Sequence, residues 1–99
     1  MIHIIWEFFV PQPNCSAFEA SYASDGAWAK LFQKSPGYHG TQLLRDLETP
    51  GRYMTVDLWE DMASYERFRR DFDREYKDLD EELVGMTSSE RRVGWFEQL

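Results

Sequence analysis

The stretch YMTVDLW, residues 53–59, limits the possible folds more than any other part of the sequence. β-Branched and aromatic side chains recur along it without an interior Gly or Pro, which predicts a β-strand. Successive side chains of a strand point to opposite sides. One face is wholly apolar and consists of Met54, Val56 and Leu58. The other mixes aromatic and polar groups and consists of Tyr53, Thr55, Asp57 and Trp59. We expect the apolar face to pack on the core and the mixed face to line a ligand cavity.

The N-terminal residues IHIIWEFFV predict another strand with two unlike faces, from Ile2 to Val10. Its even positions are uniformly apolar: Ile2, Ile4, Trp6, Phe8 and Val10. Its odd positions include ionisable groups: His3, Ile5, Glu7 and Phe9. Pro11 and Pro13 end the strand, because proline has no backbone N–H to donate. The asymmetry between faces therefore occurs twice in the chain.

Two helical regions are predicted between the strands. Ser16 and Glu19 have the spacing of a capping box, which places the start of the first helix there. Gly26 interrupts that helix, and Ser35-Pro36-Gly37 ends it. Asp61 can cap a second, long helix. The apolar positions of this helix recur at spacings of three and four residues: Met62, Tyr65, Phe68, Phe72, Tyr76, Leu79 and Leu83.

Two further strands complete the pattern. YHGTQLLRDL, residues 38–47, is joined to the 53–59 strand as a hairpin through ETPG, residues 48–51, because Pro followed by Gly suits a type II turn. RRVGWFEQL, residues 91–99, is the last strand. The order of elements predicts a single α+β domain over residues 1–99 with a ferredoxin-like βαββαβ topology. Such a domain has one antiparallel sheet and two helices on one face.

The helices can cover only one face of this sheet, which leaves the odd positions of the first and third strands bare. Four large apolar residues are among them: Ile5, Phe9, Tyr53 and Trp59. Because exposing them to water is unfavourable, we expect a homodimer in which two sheets face each other. Glu7 and Asp57 argue against a dry interface, since an unpaired buried carboxylate is costly. The space between the sheets is therefore expected to be a lined cavity.

Composition narrows the class of partner. Eighteen acidic and eleven basic residues give a formal net charge of −7, which disfavours nucleic acids and anionic membrane surfaces. The single cysteine, Cys15, excludes an internal disulfide and suits a reducing compartment. No apolar run approaches the length of a membrane span, and IHIIWEFFV has neither a basic leader nor a cleavage site. We expect a cytoplasmic protein.

Three segments carry a resemblance to a known family: PGYHGTQLLRD, RYMTVDLWED and TSSERRVGWFE. They resemble the antibiotic biosynthesis monooxygenase family of dimeric α+β barrels, over nearly the whole chain. The resemblance implies that fold and a homodimer. For one part of the family it also implies oxidation of phenolic or quinol-type aromatic molecules by O2 without metal or flavin. Trp59 matches the family's strand-three tryptophan, which implies that it lines the pocket.

The haem-degrading branch of the same family places an iron-ligating histidine nine or ten residues after that tryptophan. This chain has Phe68 and Arg69 there, and its first strand lacks the asparagine of that branch. The resemblance therefore disfavours haem degradation, with His3 and His39 left only as unorthodox ligands. No cofactor is expected, and no spacing typical of a metal site, a phosphate loop or a hydrolase elbow occurs.

Asp57, Glu7 and His3 are the candidate bases that would take a proton from a bound phenol. Burial would make either carboxylate a better base, because desolvation raises its pKa. The alternative is a structural ion pair with Arg45, Arg52 or an arginine of the last strand. The sequence leaves both roles open.

Flat side chains are the candidate walls for an aromatic ligand. The set comprises Trp59, Tyr53 and Phe9, with Ile5 and Thr55 on the same face. Their alternative role is packing at the dimer interface. His39 is either a proton shuttle at the cavity mouth or a surface residue, and Leu43-Leu44 leaves the direction of Arg45 open. Two functions follow: a cofactor-independent oxygenase acting on an aromatic molecule, or a non-catalytic ligand-binding or accessory homodimer.

Overall fold

A four-stranded antiparallel sheet carries every helix on one of its faces in the computed structural model, which describes all 99 residues. The elements in chain order are β1 (Ile2–Phe9), α1 (Cys15–Tyr22), α2 (Ala27–Phe32), β2 (Tyr38–Arg45), β3 (Arg52–Trp59), α3 (Met62–Asp71), α4 (Asp73–Glu82) and β4 (Ser89–Glu97). The strand order across the sheet is β2-β3-β1-β4. The predicted ferredoxin-like α+β fold is therefore confirmed. None of the helices combines the length and the apolar character needed to cross a bilayer.

The register between β1 and β3 decides which side chains meet the helices. Ile4 lies opposite Asp57 and Phe8 lies opposite Tyr53, and directly opposed side chains project to the same side of a sheet. The even positions of β1 and the odd positions of β3 therefore share the helix-covered face. Tyr53 is 2% exposed and Trp59 is fully buried.

This register corrects the prediction for the 53–59 strand, whose faces are the reverse of those expected. The prediction assumed that the wholly apolar face would pack under the helices. Aromatic rings occupy that space instead, because they reach far enough from the strand to meet helical side chains. Tyr53 packs on Phe18 of α1, and Trp59 packs on Phe32 of α2 and Phe68 of α3.

The opposite side of the sheet, which we call the open face, is covered by no element of the chain. Its apolar members are Ile5, Phe9, Leu44, Met54, Val56, Leu58 and Phe96. Leu44 and Phe96 are exposed by 50% and 46%. Glu7 lies on the same face and accepts hydrogen bonds from Arg52 at 2.7 Å and from Arg91 at 3.3 Å. A large apolar surface is thus left in contact with solvent around one ion-pair cluster.

The helix boundaries differ from the predicted ones in two places. The capping box at Ser16 and Glu19 is wrong, because α1 starts one residue earlier and no side chain caps it. The predicted long helix is also wrong as a single element. It breaks at Phe72, whose φ of −120° and ψ of 29° are not helical, although hydrogen bonds continue on both sides. The break between α1 and α2 falls where Gly26 predicts it.

Two other local predictions are confirmed. Asp61 Oδ1 accepts a hydrogen bond from the backbone N–H of Ser64 at 2.8 Å, so Asp61 caps α3. Pro50 and Gly51 occupy the centre of the β2–β3 turn, where Gly51 has the positive φ of 83° that a type II turn requires. The strand ends shift slightly, since β2 stops at Arg45 and β4 begins at Ser89.

Candidate functional site

A cavity of about 60 Å³ lies between the sheet and the helices. Its lining residues come from the helix-covered face and from three helices: Trp6, Phe8, Tyr22, Trp28, Phe32, Thr41, Thr55, Asp57, Tyr76, Asp80 and Glu90. Six of these are aromatic rings and three are carboxylates. The cavity is partly open to solvent, and its volume leaves room for only a few water molecules.

Asp57 is the buried polar group of this cavity. It points from β3 toward the helices and is only 9% exposed. It accepts one hydrogen bond, which Thr41 Oγ1 donates to its Oδ1 atom at 2.7 Å. Burial raises the pKa of Asp57 from its ordinary 3.8 to about 6, and the hydrogen bond from Thr41 opposes that rise. The carboxylate is therefore more basic than an exposed one and still ionised for the most part at neutral pH.

A short hydrogen-bond chain leads away from Asp57. The Tyr38 hydroxyl lies 2.5 Å from Thr41 Oγ1. Because Thr41 has one hydroxyl proton and donates it to the Asp57 carboxylate, the Tyr38 hydroxyl is the donor to Thr41. Tyr38 does not line the cavity and is only half-buried. The chain thus connects the buried carboxylate with a side chain that reaches solvent.

Aromatic side chains of the helices form the roof of the cavity. The ring centre of Trp28 lies 5.0 Å from that of Tyr76 and 5.8 Å from that of Phe32. Phe8 of β1 packs against Tyr22 at 5.0 Å. Burial raises the pKa of Tyr22 to about 12 and also raises the pKa of Tyr76, so both phenols stay protonated at neutral pH. The walls are neutral, flat and suited to stacking on a ring.

Two carboxylates lie at the mouth of the cavity. Asp80 belongs to α4 and Glu90 to β4, and both side chains reach solvent. Partial burial raises the pKa of Glu90, and the charge of Asp80 acts in the same direction. No three His, Cys, Asp or Glu side chains are grouped so that they could hold a metal ion.

The family model for antibiotic biosynthesis monooxygenases matches residues 1–82. The chain belongs to the antibiotic biosynthesis monooxygenase family. Membership supports a monooxygenase at the level of the family. No curated protein matches the chain in sequence.

Solved structures show the fold of this monooxygenase family for the whole chain. A proposed antibiotic biosynthesis monooxygenase from Bordetella bronchiseptica is 24% identical, with a TM-score of 0.78 over 99% of this chain and 96% of its own. A second such protein, from Nitrosomonas europaea, is 15% identical, with a TM-score of 0.73 over 100% of this chain and 99% of its own. SnoaB, a cofactor-independent oxygenase from Streptomyces nogalater, is 20% identical, with a TM-score of 0.64 over 99% and 92%.

Only two of the predicted site residues, Asp57 and Thr55, line the cavity of this monooxygenase-family protein. Glu7 and His3 lie across the sheet on the open face. Glu7 is held there by Arg52 and Arg91, as the ion-pair alternative predicted, and His3 Nε2 lies 3.1 Å from Gln98 Oε1. Glu7 and Asp57 therefore lie on opposite faces of the sheet, and the prediction that both lie on the face left bare by the helices is wrong for Asp57.

The residues predicted to form the walls of the ligand cavity also lie on two different faces of the sheet. Ile5 and Phe9 belong to the open face, whereas Tyr53 and Trp59 are buried in the core beside the cavity and do not line it. The Tyr53 hydroxyl donates to Glu19 Oε2 at 2.5 Å.

Arg45, whose direction the sequence left open, and His39, whose role it left open, are both exposed. Arg45 is paired with Glu19 at 3.5 Å, on the helix side of β2. His39 lies at the bulge of β2 and away from the cavity.

Thr41 is the candidate site residue that sequence reasoning missed. In the structure Arg45 pairs with Tyr53 and Thr41 pairs with Asp57. Counting back from a two-residue Pro50-Gly51 turn would have placed Leu44 opposite Asp57 instead, so the turn gives no signal for Thr41. The helical members Tyr22, Trp28 and Tyr76 carry no signal either, because their positions are typical of any core-facing helix.

Proposed function

We propose that this protein is a cofactor-independent monooxygenase that oxidises a phenolic or quinol-like aromatic molecule with O2. The observation that carries the proposal is the Asp57 carboxylate, nine-tenths buried beside an aromatic cavity and with its pKa raised to about 6. A general base works best when its pKa lies near the working pH, which burial provides here. SnoaB, a cofactor-independent oxygenase of the same fold, supports this class of reaction.

In the proposed reaction, Asp57 takes the proton of the substrate hydroxyl. The electron-rich anion then passes an electron to O2, and the two resulting radicals combine at a ring carbon. One oxygen atom stays on that carbon as a carbonyl and the other leaves as water. The four electrons that reduce O2 all come from the substrate, so no external reductant enters the balance.

Thr41 would hold the carboxylate of Asp57 in place by the hydrogen bond to Oδ1, which leaves the other oxygen free for the substrate. Trp28, Phe32 and Tyr76 would stack on the ring. The cavity must widen first, because about 60 Å³ is well below the ~150 Å³ that suffices for benzene in a protein interior. We place this movement in α4, which has no buried residue.

Oxygen uptake tests the proposal. Purified, metal-stripped protein should consume O2 above background with at least one member of a panel of hydroquinones, naphthols and anthrone-like tricyclic compounds. Asp57→Asn should lower the rate by about 100-fold or more, because the base is lost while the shape is kept. The matched control is Asp78→Asn, which removes the same charge from an exposed position of α4 outside the cavity.

Two outcomes would contradict the oxygenase proposal. Equal rates for Asp57→Asn and the unchanged protein would show that Asp57 is not the base. Absence of uptake across the panel, together with quenching of tryptophan fluorescence by the same compounds, would favour the non-catalytic ligand-binding protein instead.

We also propose that the protein is a homodimer joined through the open face. Its seven apolar side chains are distributed over all four strands. Burying one such side chain stabilises an association by about 1.5–3 kcal/mol. Packing against the open face of a second subunit would therefore be favourable. The cavity lies on the other side of the sheet, and each subunit would therefore carry a complete site.

A further inference from the structure

A bulge in β2 determines which side chains stand beside Asp57. Tyr38 pairs with Trp59, and Thr41 pairs with Asp57. Three steps along β2 therefore match only two along β3, and His39 is the extra residue. In a regular strand, side chains three positions apart point to opposite faces. The bulge places Tyr38 and Thr41 on the same face, which is the one that the helices cover.

Gly40 allows the backbone to form this bulge. Its φ of 126° lies in a region that glycine enters freely and that other residues rarely adopt. A Cβ atom added at Gly40 would meet no other atom within 4 Å. The backbone conformation therefore requires glycine here, and a shortage of space does not. Bulges are common next to functional sites, where they change the direction of a side chain.

Two hydroxyl groups on this face form a chain with the Asp57 carboxylate. Thr41 Oγ1 donates to Asp57 Oδ1 at 2.7 Å, and the Tyr38 hydroxyl lies 2.5 Å from the same Oγ1 atom. The Tyr38 ring packs on Phe32 and Trp59, whose ring centres lie 5.4 Å and 5.3 Å away. Because packing holds the ring, it also holds the hydroxyl in place beside Thr41.

The hydrogen bonds of this chain run in one direction while Asp57 is ionised. A carboxylate only accepts hydrogen bonds, so Thr41 gives its single proton to that bond and its oxygen is left to accept from Tyr38. Burial raises the pKa of the Tyr38 phenol and the charge of Asp57 adds to the rise, although the bond with Thr41 opposes it. Tyr38 therefore stays protonated at neutral pH and remains a donor. Successive hydrogen bonds in such a chain strengthen one another.

The two oxygen atoms of Asp57 differ because of this chain. Oδ1 is bound to Thr41, whereas Oδ2 accepts no hydrogen bond from the protein. Burial raises the pKa of Asp57, and the bond from Thr41 lowers it. The other ionisable groups that line the cavity cause no such shift: Tyr22, Tyr76, Asp80 and Glu90. One oxygen is thus tied to β2, and the other is left for a ligand.

We propose that Tyr38, brought into place by the bulge of β2, is a positioning residue for the base. Through Thr41 it holds Oδ1 of Asp57 against β2, so that Oδ2 is the oxygen that takes the substrate proton. Tyr38 does not line the cavity and does not touch the ligand itself. This inference rests on the proposed function for the role of Asp57 as a base, whereas the coupling of Tyr38 to Asp57 is measurable without substrate.

Titration of the Asp57 carboxyl group by 13C NMR in the ligand-free protein measures that coupling. A hydrogen bond to the charged form lowers a pKa, so its removal raises the midpoint of the titration. Thr41→Val should move the midpoint from about 6 upward by about one pH unit, and Tyr38→Phe should move it upward by less. Because Tyr38 acts only through Thr41, adding Tyr38→Phe to Thr41→Val should cause no further shift.

Turnover gives a second readout with the same variants. With a panel compound that supports O2 uptake, Tyr38→Phe should lower kcat about tenfold and change KM by less than about twofold, because only the alignment of the base is lost. Thr41→Ser keeps the hydroxyl and should keep most of the rate. The matched control is Tyr53→Phe, since the Tyr53 hydroxyl donates to Glu19 at 2.5 Å and does not line the cavity. It should change neither the midpoint nor kcat.

The outcomes separate this inference from the oxygenase proposal. Additive shifts in the double variant, an unchanged midpoint in Tyr38→Phe or an equal shift in Tyr53→Phe would each overturn the positioning role. Absence of O2 uptake across the panel, together with the expected shifts, would remove the oxygenase and keep the coupling of Tyr38 to Asp57. Uptake with an unchanged kcat in Tyr38→Phe would keep the oxygenase and overturn the positioning role.

Discussion

Asp57 is a residue whose proposed role in catalysis works against the stability of the fold. Its pKa is about 6 in the folded protein and near 3.8 when exposed, so the folded state holds its proton more tightly. Its contribution to stability is complete below pH 3.8 and is lost as the pH rises to about 6. At neutral pH the buried charge costs on the order of 1–3 kcal/mol.

Asp57→Asn should therefore raise the free energy of unfolding at pH 7, because an amide keeps the hydrogen bond from Thr41 without the charge. Thermal or urea denaturation at a series of pH values checks this. The stability of the unchanged protein should fall relative to that of Asp57→Asn between pH 4 and pH 6 and stay lower above it. A variant less stable than the parent at pH 7 would show that Asp57 is an ordinary structural residue.

At the scale of single residues the sequence predicted Asp57 as a candidate base, because a carboxylate between aromatic residues on one strand face is unusual, and the structure places its side chain at the cavity. It could not identify the partners of Asp57. Glu7 shares the same chemistry and lies on a strand of the same kind, and only the register of β1 against β3 places it on the other face. The sequence predicted an ion pair with Arg52 or an arginine of the last strand only as an alternative, and the structure shows that Arg52 and Arg91 pair with Glu7.

Among the elements, the approach of α3 to the residues just before β2 is the tightest contact that depends on a glycine. A Cβ atom on Gly37 would overlap the Cβ of Ser64, and Gly37 O accepts the backbone hydrogen bond of Glu60 at 2.8 Å. Gly37→Ala should therefore destabilise the fold by about 1–3 kcal/mol. Ser64→Gly removes the opposing atoms, so in that background Gly37→Ala should cost little.

A double-mutant cycle of these two changes, measured by urea denaturation, gives the coupling directly. Strong coupling would show that the absence of a side chain at Gly37 allows α3 to pack on the sheet at this position. Additive effects would show that Gly37 is needed for its own backbone instead.

The elements themselves were largely predictable. Gly26 marks the break between α1 and α2, and Asp61 marks the start of α3, because both act through local chemistry. The break at Phe72 was not predictable, since the apolar period continues through it and only the backbone dihedral angles of Phe72 mark the boundary between α3 and α4. The faces of β3 were missed for a related reason, because both faces carry enough apolar surface to pack.

For the whole molecule, association through the open face is the property to measure. Val56 lies at the centre of that face, opposite Ile5 on β1 and Gln42 on β2. Val56→Lys should convert a dimer into a monomer, because each interface would bury two unpaired ammonium groups. Light scattering after size exclusion gives the mass of both forms.

The control is Gln33→Lys, which adds the same charge at an exposed position beyond the C-terminus of α2. It should remain dimeric. A monomer for the unchanged protein, or a dimer for Val56→Lys, would contradict assembly through the open face.

Successive side chains of β3 point to opposite faces of the sheet, and this affects how new substrate specificities can arise in such a protein. Asp57 and Val56 are neighbours in the chain, and one serves the cavity while the other faces away from it. A substitution in this strand that adapts the cavity also disturbs the opposite surface, about 3.3 Å away along the chain. The helical side chains are free of that constraint, because Tyr22, Trp28 and Tyr76 lie on the helix-covered side of the sheet, away from the open face. Divergence of substrate range is therefore easiest in the helices, with the strand held fixed as the common frame.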